Sequence, residues 1–528
     1  MKNMYQLLLL AVALMVGGQL TAQRIVTIAD NGDPFTPVNI FPVIMGDTTA
    51  TGERVDNNTV YELENGVVYI TTGRIVNKPE WPLQIRAVDT ENIDSKAIIT
   101  RVPNATGDYP DIMRPEGDVT LTNLWIIAGE RGALQQHDWG KIRFMGENTR
   151  VTVTDCIIEK DRGGFLQVRA DGIKMYVDGC IFRNGGNRRV IQGNGRGVDC
   201  RDFSMDTLIM RNTVVHNIQD RFMRSQGASD PHNYIEIDHC TSFNTVGRHG
   251  HIQLGRVRTA KITNNLFSNP IMLGSSPFYT DEQTQPDNDL HSVITLDTLL
   301  ESTTLEISNN NIFWTEDVTN YWASVDTINA PNVLSQLVEQ SLGADAANAS
   351  FSEPLSLNNV PQTILEYVQD LYTNPAAEDM FDFIVEDDVL DGTPFDSGNL
   401  FDFDDFDPCY STDAVSATAA IDGGGVGVRS FCPELATSLS EVVNEALALE
   451  IFPNPTTEQT TFRFDLDQAS EVRVSVFSLS GQLVGQPVNA MLPSGNHNFN
   501  WNINLPKGMY LVNLQTEMGM MTQKLVVR

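Results

Sequence analysis

The feature that most constrains the fold is a repeat. Seven short segments, residues 119–124, 151–156, 175–180, 208–213, 235–240, 260–265 and 305–310, follow one pattern. Each has two apolar positions spaced by two, then a polar residue, then a turn position that is often Asn. The turn positions hold Asn123, Asp155, Gly179, Asn212, His239, Asn264 and Asn309. A second short apolar piece follows, as in Ile157 and Ile158, Ile181 and Phe182, Val214 and Val215, and Leu266 and Phe267. Asn then recurs at positions 184, 217, 244 and 269. Such returns predict a solenoid in which like residues stand above one another and apolar columns fill the interior. Asn at a fixed turn accepts left-handed geometry and can bond its neighbours in adjoining coils. The predicted fold class is all-β, a right-handed parallel β-helix. Coil lengths run from 24 residues (Cys156 to Cys180) to 45 (Asn265 to Asn310), so loops of unequal size leave one side. Cys156, Cys180 and Cys240 share one repeat position, and spacing by a coil reads as buried stacking rather than metal binding.

The 528 residues allow two or three domains. With 68 acids against 35 bases and a formal charge of −33, the chain lacks the basic balance of a general nucleic-acid binder. Lys2, the apolar run 7–16 and the site between Ala22 and Gln23 read as a secretory signal over residues 1–22. That run is too short for a bilayer, and no later stretch predicts a transmembrane segment in the mature chain. No Cys adjoins the cleavage site, which argues against a lipid anchor. At the other end, alternating runs at 461–465, 472–477, 508–512 and 524–527, separated by turn signals, predict a small Ig-like β-sandwich. Phe452, Pro453, Asn454 and Pro455, then Ser480 and Gly481, then Gly508, Met509 and Tyr510, then the strand 524–527 occur in an order that resembles the C-terminal sorting domain of the type IX secretion system of Bacteroidetes. The resemblance implies a partner, the type IX machinery, export across the outer membrane, removal of residues 451–528, and release or attachment at the cell surface.

The coils resemble the pectate-lyase-like β-helix superfamily. The resemblance extends to opening coils at 59–69 and 82–86 and to a closing segment around 401–405 and 419–424. The β-helix domain is therefore placed at 23–437, with an acidic insertion at about 275–400 and a linker at 438–450. The matching motifs are fold motifs and name no substrate. Residues 332–342 and 361–372 have helical spacing. Residues 262–435 hold 30 acids and one base, Arg429, whereas 131–261 hold 20 bases and 14 acids. The chain is thus split between a mildly basic solenoid and a very acidic lobe. Phe381, Phe383, Phe401, Phe403 and Phe406 are expected to hold that lobe against the end or side of the solenoid by apolar burial.

A third strand family is expected at 141–144, 166–169, 189–192, 221–224 and 251–254. Stacked, it would carry Arg143, Arg169, Arg189, Arg221 and His251 as an accessible ladder. In β-helix polysaccharide lyases that sheet binds an acidic sugar chain, with a cation on the uronate carboxylate and a base beside it. The resemblance implies Arg221, Arg224, His249, His251, Arg256 and Arg258 as candidates. The superfamily's Arg-x-Pro-x-x-Arg element is absent. The competing readings are a solvated basic face and a partner for the acidic lobe. Asp238 and His239 resemble a lyase pair, yet His239 stands where other coils carry Asn, which favours a ladder role. Asp402, Asp404, Asp405 and Asp407 offer hard oxygen ligands of the kind Ca²⁺ takes, or form a solvated acidic loop. Cys409 and Cys432 flank a Gly-rich stretch and are a disulfide candidate in an exported chain, with Cys200 left over. No P-loop, GxSxG elbow or zinc spacing is present. The functional expectation is an exported β-helix protein that binds polysaccharide, with anionic-polysaccharide lyase activity if it is an enzyme. The alternative is a non-catalytic adhesin or structural surface protein.

Overall fold

The structure, a computed structural model, describes residues 23–33, 35–129, 142–186, 194–247, 249–274, 291–325, 328–361, 364–373, 406–436, 449–457, 459–466, 470–478, 483–503, 505–516 and 519–528. They fall into two compact units, residues 1–435 and 436–528. The predicted signal segment 1–22 and most of the linker lie outside the described residues.

The first unit is a parallel β-helix with three sheets. Sheet 1 has ten strands, from Arg24–Ile28 and Thr59–Leu63 through Arg150–Thr154, Ile173–Asp178, Met205–Arg211, His232–Asp238 and Val257–Thr263 to Thr304–Ser308. Sheet 2 also has ten, including Leu124–Ile127, Ile157–Glu159, Ile181–Gly185, Val214–Ile218, Thr241–Thr245, Leu266–Ser268 and Asn310–Phe313. Sheet 3 has six short strands, Arg143–Phe144, Leu166–Val168, Arg196–Asp199, Arg221–Arg224, Ile252–Gln253 and Ile294–Thr295. Each full coil passes from sheet 1 to 2 to 3.

The register places the repeat anchors in one column: Val119, Val151, Met175, Leu208, Ile235, Ala260 and Leu305 are successive Cα partners. All but Leu305 are buried, so each coil covers its neighbour's apolar face. The turn residue after them is left-handed in every coil: φ is 55° at Asn123, 53° at Asp155, 64° at Gly179, 44° at Asn212, 49° at His239, 58° at Asn264 and 57° at Asn309. The second turn repeats the device at Asn184, Asn217, Asn244 and Asn269, with Lys160 at its start. Asn244 Nδ2 donates to Asn217 Oδ1 (3.2 Å), and Asn269 Nδ2 to Asn244 Oδ1 (3.4 Å). Left-handed φ costs most residues about 1–2 kcal/mol, and Asn offsets it with these bonds. Inside, Cys156, Cys180 and Cys240 are buried and their thiols face backbone carbonyls. The same column ends in Asn265 and Asn310, which bond each other (2.9 Å) and nearby carbonyls.

Short helices close both ends, and the periodicity of the coils did not announce the first. Helix Ile40–Gly46 buries Ile40 and Ile44 in the first coils, capped by Asn39. At the far end Gln336–Leu342 adds Val338 to the core beside Ile307 and Ile312. Helices Glu316–Ala323 and Leu365–Thr373 form a second apolar cluster in which Val318, Trp322, Tyr367 and Val368 meet Val246, Met272 and Leu273 of the coils. The first of these helices lies outside both helical stretches expected from spacing. The acidic region is thus attached by apolar contact. Phe406 also packs on the side of the solenoid, on Phe243 and His216. Phe381, Phe383, Phe401 and Phe403 lie outside the described residues.

The closing segment runs along the turn ladder. Gly427 N donates to Asn264 O (2.7 Å), Ile421 N to Asn264 Oδ1 (2.9 Å), and Asn309 Nδ2 to Ala419 O (2.7 Å). Cys409 and Cys432 are joined by a disulfide. The second unit has two antiparallel sheets. One holds Leu449–Phe452, Gln459–Leu466 and Gly495–Asn502; the other holds Ser470–Ser478, Leu483–Leu492, Gly508–Thr516 and Gly519–Val527. Alternate residues Phe462, Phe464 and Leu466, and Val472, Val474 and Val476, face its core.

Candidate functional site

Sheet 3 does not carry the simple ladder that spacing suggested. In the coil after Lys174 its strand is Arg196–Asp199, not residues 189–192, and Arg189 lies outside the described residues. Arg143 partners Gln167 rather than Arg169, and the column continues through Asp199 to Arg224. Arg221 stands beside Arg196. Periodicity located the sheet but slipped the register, because a two- to four-residue strand carries too few alternations to fix which residue faces which.

The result is a buried charge network. Asp220 is fully buried and Arg221 is 2% exposed. Arg221 Nε donates to Asp220 Oδ2 (2.9 Å), Arg196 Nε to the same oxygen (2.8 Å), and His249 Nδ1 lies 3.0 Å from Asp220 Oδ1. Asp199 receives Arg169 Nη2 at 3.0 Å and faces Arg196 at 3.7 Å and Arg224 at 3.8 Å. Arg221 Nη1 also donates to Gln253, whose amide reaches Asp297 Oδ1 (3.1 Å). Four guanidinium groups thus surround two carboxylates. Burial opposes ionisation of both acids. The arginines outweigh it and hold Asp220 well below, and Asp199 below, the usual carboxylate range. The converse strain falls on Arg224: burial and repulsion from Arg196 pull its pKa down to about 9. Burial and Arg221 pull His249 to about 4, so its ring is neutral at pH 7. Asp220 selects the Nδ1–H tautomer, and Nε2 of His249 has no hydrogen-bond partner among the described residues.

The other candidates separate from this network. His251 is an interior residue, buried against Phe222 and Phe267 with Nε2 on Ser242 Oγ (2.8 Å). It was misplaced by the same register slip. Arg256 donates to Ser229 O, and exposed Arg258 belongs to sheet 1, where its Nε reaches Asn233 Oδ1 (3.2 Å). They do not converge with Arg221. Arg143 is half-buried and desolvated, with Asp111 its strongest opposing charge. Arg221 is not an open surface cation, because it is 2% exposed and ion-paired to buried Asp220. Asp402, Asp404 and Asp405 lie outside the described residues. Asp407 accepts Cys409 N (3.0 Å) and Asn358 Nδ2 (2.9 Å), so both its oxygens serve protein donors. Asp199 and Asp220 are likewise engaged by guanidinium groups.

Two groups of residues escaped sequence reasoning. Arg196, Asp199 and Asp220 stand one coil from, or beside, residues that were singled out; stacking the coils in register would have found them. On sheet 2, Glu159, Arg183, His216 and Phe243 form a further column. Arg183 Nε donates to Glu159 Oε2 (2.7 Å), and His216 clusters with Phe243 (4.6 Å) and Phe406 (5.5 Å). An apolar reading of the second strand hid them.

Residues 450–528 match the secretion system C-terminal sorting domain. The protein is therefore a type IX export substrate, delivered to the cell surface or secreted. No helix among the described residues is long and apolar enough to cross a membrane. Comparison with curated proteins finds no match.

Proposed function

We propose that this type IX export substrate binds an acidic polysaccharide at sheet 3 and acts on it as a lyase. The observation that carries the reading is a mostly buried cluster of guanidinium groups. Arg169, Arg196, Arg221 and Arg224 share Asp199 and Asp220, and they lie beside a neutral, carboxylate-oriented imidazole. A buried cation short of counter-charge favours an anionic ligand. Arg224 is the guanidinium least engaged by its neighbours, with contacts at 3.4 Å to Gln226 and 3.8 Å to Asp199. In this reading Arg224 neutralises a uronate carboxylate, which acidifies the adjacent C–H. His249 Nε2 takes the C5 proton, the freed electron pair forms the C4–C5 double bond as the C4–O glycosidic bond breaks, the leaving oxygen takes a proton from water, and Asp220 stabilises the imidazolium that forms.

A second reading, a non-catalytic adhesin or structural surface protein, is favoured by one observation: Arg196, Arg221 and Arg224 are each 6% exposed or less. One experiment separates the two. The mature protein is incubated with pectate, alginate and glycosaminoglycans, and absorbance of unsaturated product is followed. Product is expected from one polymer, unchanged by removal of Ca²⁺. His249→Ala should abolish turnover while retention on the polymer persists. Absence of product and of retention on all three polymers removes the first reading.

A further inference from the structure

A cavity of about 330 Å³ lies between the sheet 1–sheet 2 turn and the closing segment. That size is at the small end of ligand pockets, roughly 300–1,000 Å³. Its apolar wall is Ile93, Phe406 and Phe431, the two rings meeting edge to face at 6.4 Å and 84°. Its polar wall is Lys96, Asp94 and Asp155. Lys96 is 7% exposed, yet its ammonium donates only to neutral groups, Asn123 Oδ1 (3.0 Å) and the backbone carbonyl of Asp155 (2.6 Å). No carboxylate among the described residues lies within ion-pair distance of it. The Asp155 carboxylate accepts no hydrogen bond among the described residues. Burial lowers the Lys96 pKa and raises that of Asp155, the signature of charges that lack a full counter-charge.

The turn ladder itself opens the cavity. Where most coils place Asn, Asp or His, the next coil has Gly179 at φ 64°, and a Cβ there would stand 2.3 Å from Asp155 Oδ1. The glycine gives the carboxylate room that a side chain would fill. A cation and an anion thus share one cavity without pairing, beside an aromatic wall. A ligand that carries both complementary charges a few atoms apart, with an apolar group on one side, satisfies all three features at once.

We propose that this cavity binds a zwitterionic α-amino acid with an apolar side chain. Its carboxylate meets Lys96, its ammonium meets Asp155 at the Asp94 rim, and its side chain lies on Phe406 and Phe431. The site is separate from sheet 3 and does not depend on the lyase reading.

The test is titration calorimetry of the full mature chain with L-phenylalanine, L-leucine, 3-phenylpropionate and phenethylamine. Both amino acids should bind. Each analogue lacks one charge and should bind roughly tenfold or more weakly, the usual worth of a charged hydrogen bond. Asp155→Asn restores the residue other coils use at this turn, so its melting temperature should hold while phenylalanine affinity falls. Lys96→Met should weaken phenylalanine and phenylpropionate together. Failure of both amino acids to bind, or equal binding of phenylalanine and phenylpropionate, overturns the proposal. So does full affinity in a folded Asp155→Asn.

Discussion

Asn264 shows how much one turn residue carries. Its φ is 58°, its Nδ2 donates to Asp238 Oδ1 (2.8 Å), and its Oδ1 accepts Ile421 N (2.9 Å). Asn264→Ala should lose about 2–4 kcal/mol through left-handed strain and two broken bonds, read by chemical denaturation. His239 occupies the same ladder position, so His239→Asn should leave stability and any activity nearly unchanged. Arg221→Glu is expected to be far worse. It would set a second carboxylate against buried Asp220 and remove a buried ion-pair partner, a loss of roughly 3–5 kcal/mol. Arg224→Gln should fold and lose retention on the acidic polymer. Acid sensitivity follows from four buried histidines, of which His216 is held well below the usual imidazole range by burial and by the Arg183 charge. Burial, the largest cause for each, holds His232 and His249 at about 4 and His251 at about 3, below the ordinary 6.5. Above pH 6.5 neither folded nor unfolded chain protonates them, and their full contribution is present. As pH falls from 6.5 toward 4 the unfolded chain takes protons first, and stability is lost. The melting temperature should therefore decline across that window, and His251→Phe should flatten the decline. A flat profile in the parent protein would refute the assignment.

At the scale of elements, the helices and the closing segment are attachments held by few contacts. Leu365–Thr373 docks through Tyr367, which accepts Gln219 Nε2 at 2.6 Å, and through fully buried Val368. Gln219 precedes Asp220, so this helix sits against the coil that carries the charge network. Val368→Asp should undock it, seen as new proteolysis in 364–373 while the coils stay resistant. If the helix restricts access to sheet 3, the same change should speed association with an anionic polymer. The closing segment is tied by Cys409–Cys432, a separation of 23 residues, for which the loop-entropy model gives about 3 kcal/mol. Replacing both cysteines by Ser should make residues 406–435 protease-sensitive before the solenoid unfolds.

For the whole molecule, the two compact units and the sorting-domain match lead to a test of address. Removing residues 450–528 should leave a folded β-helix, because its sheets take no strand from that region. The truncated chain should remain in the periplasm, checked by fractionation. Its appearance at the surface would contradict sorting by this domain. The charge asymmetry acts at this scale as well. Surface ion pairs such as Lys261–Glu306 (3.3 Å) are each worth only roughly 0–1 kcal/mol. Trp322, Tyr367 and Phe406 attach the acidic stretch by apolar and aromatic contact.

The coil architecture, its turn ladder and the separate tail were legible in the sequence. Each repeats a local rule many times: alternation for strands, Asn for left-handed turns, ordered motifs in the tail. Repetition lets weak local preferences add until one fold remains. The site was legible only as a neighbourhood. Arg221, Arg224 and His249 were found, but Arg196, Asp199 and Asp220 were not, nor was the burial that turns an expected open ladder into a closed network. Which side chains of a two- to four-residue strand meet depends on register between coils. Whether a charge is open or buried depends on what later segments lay over it. Neither quantity is written in any local stretch, so only the tertiary structure decided them.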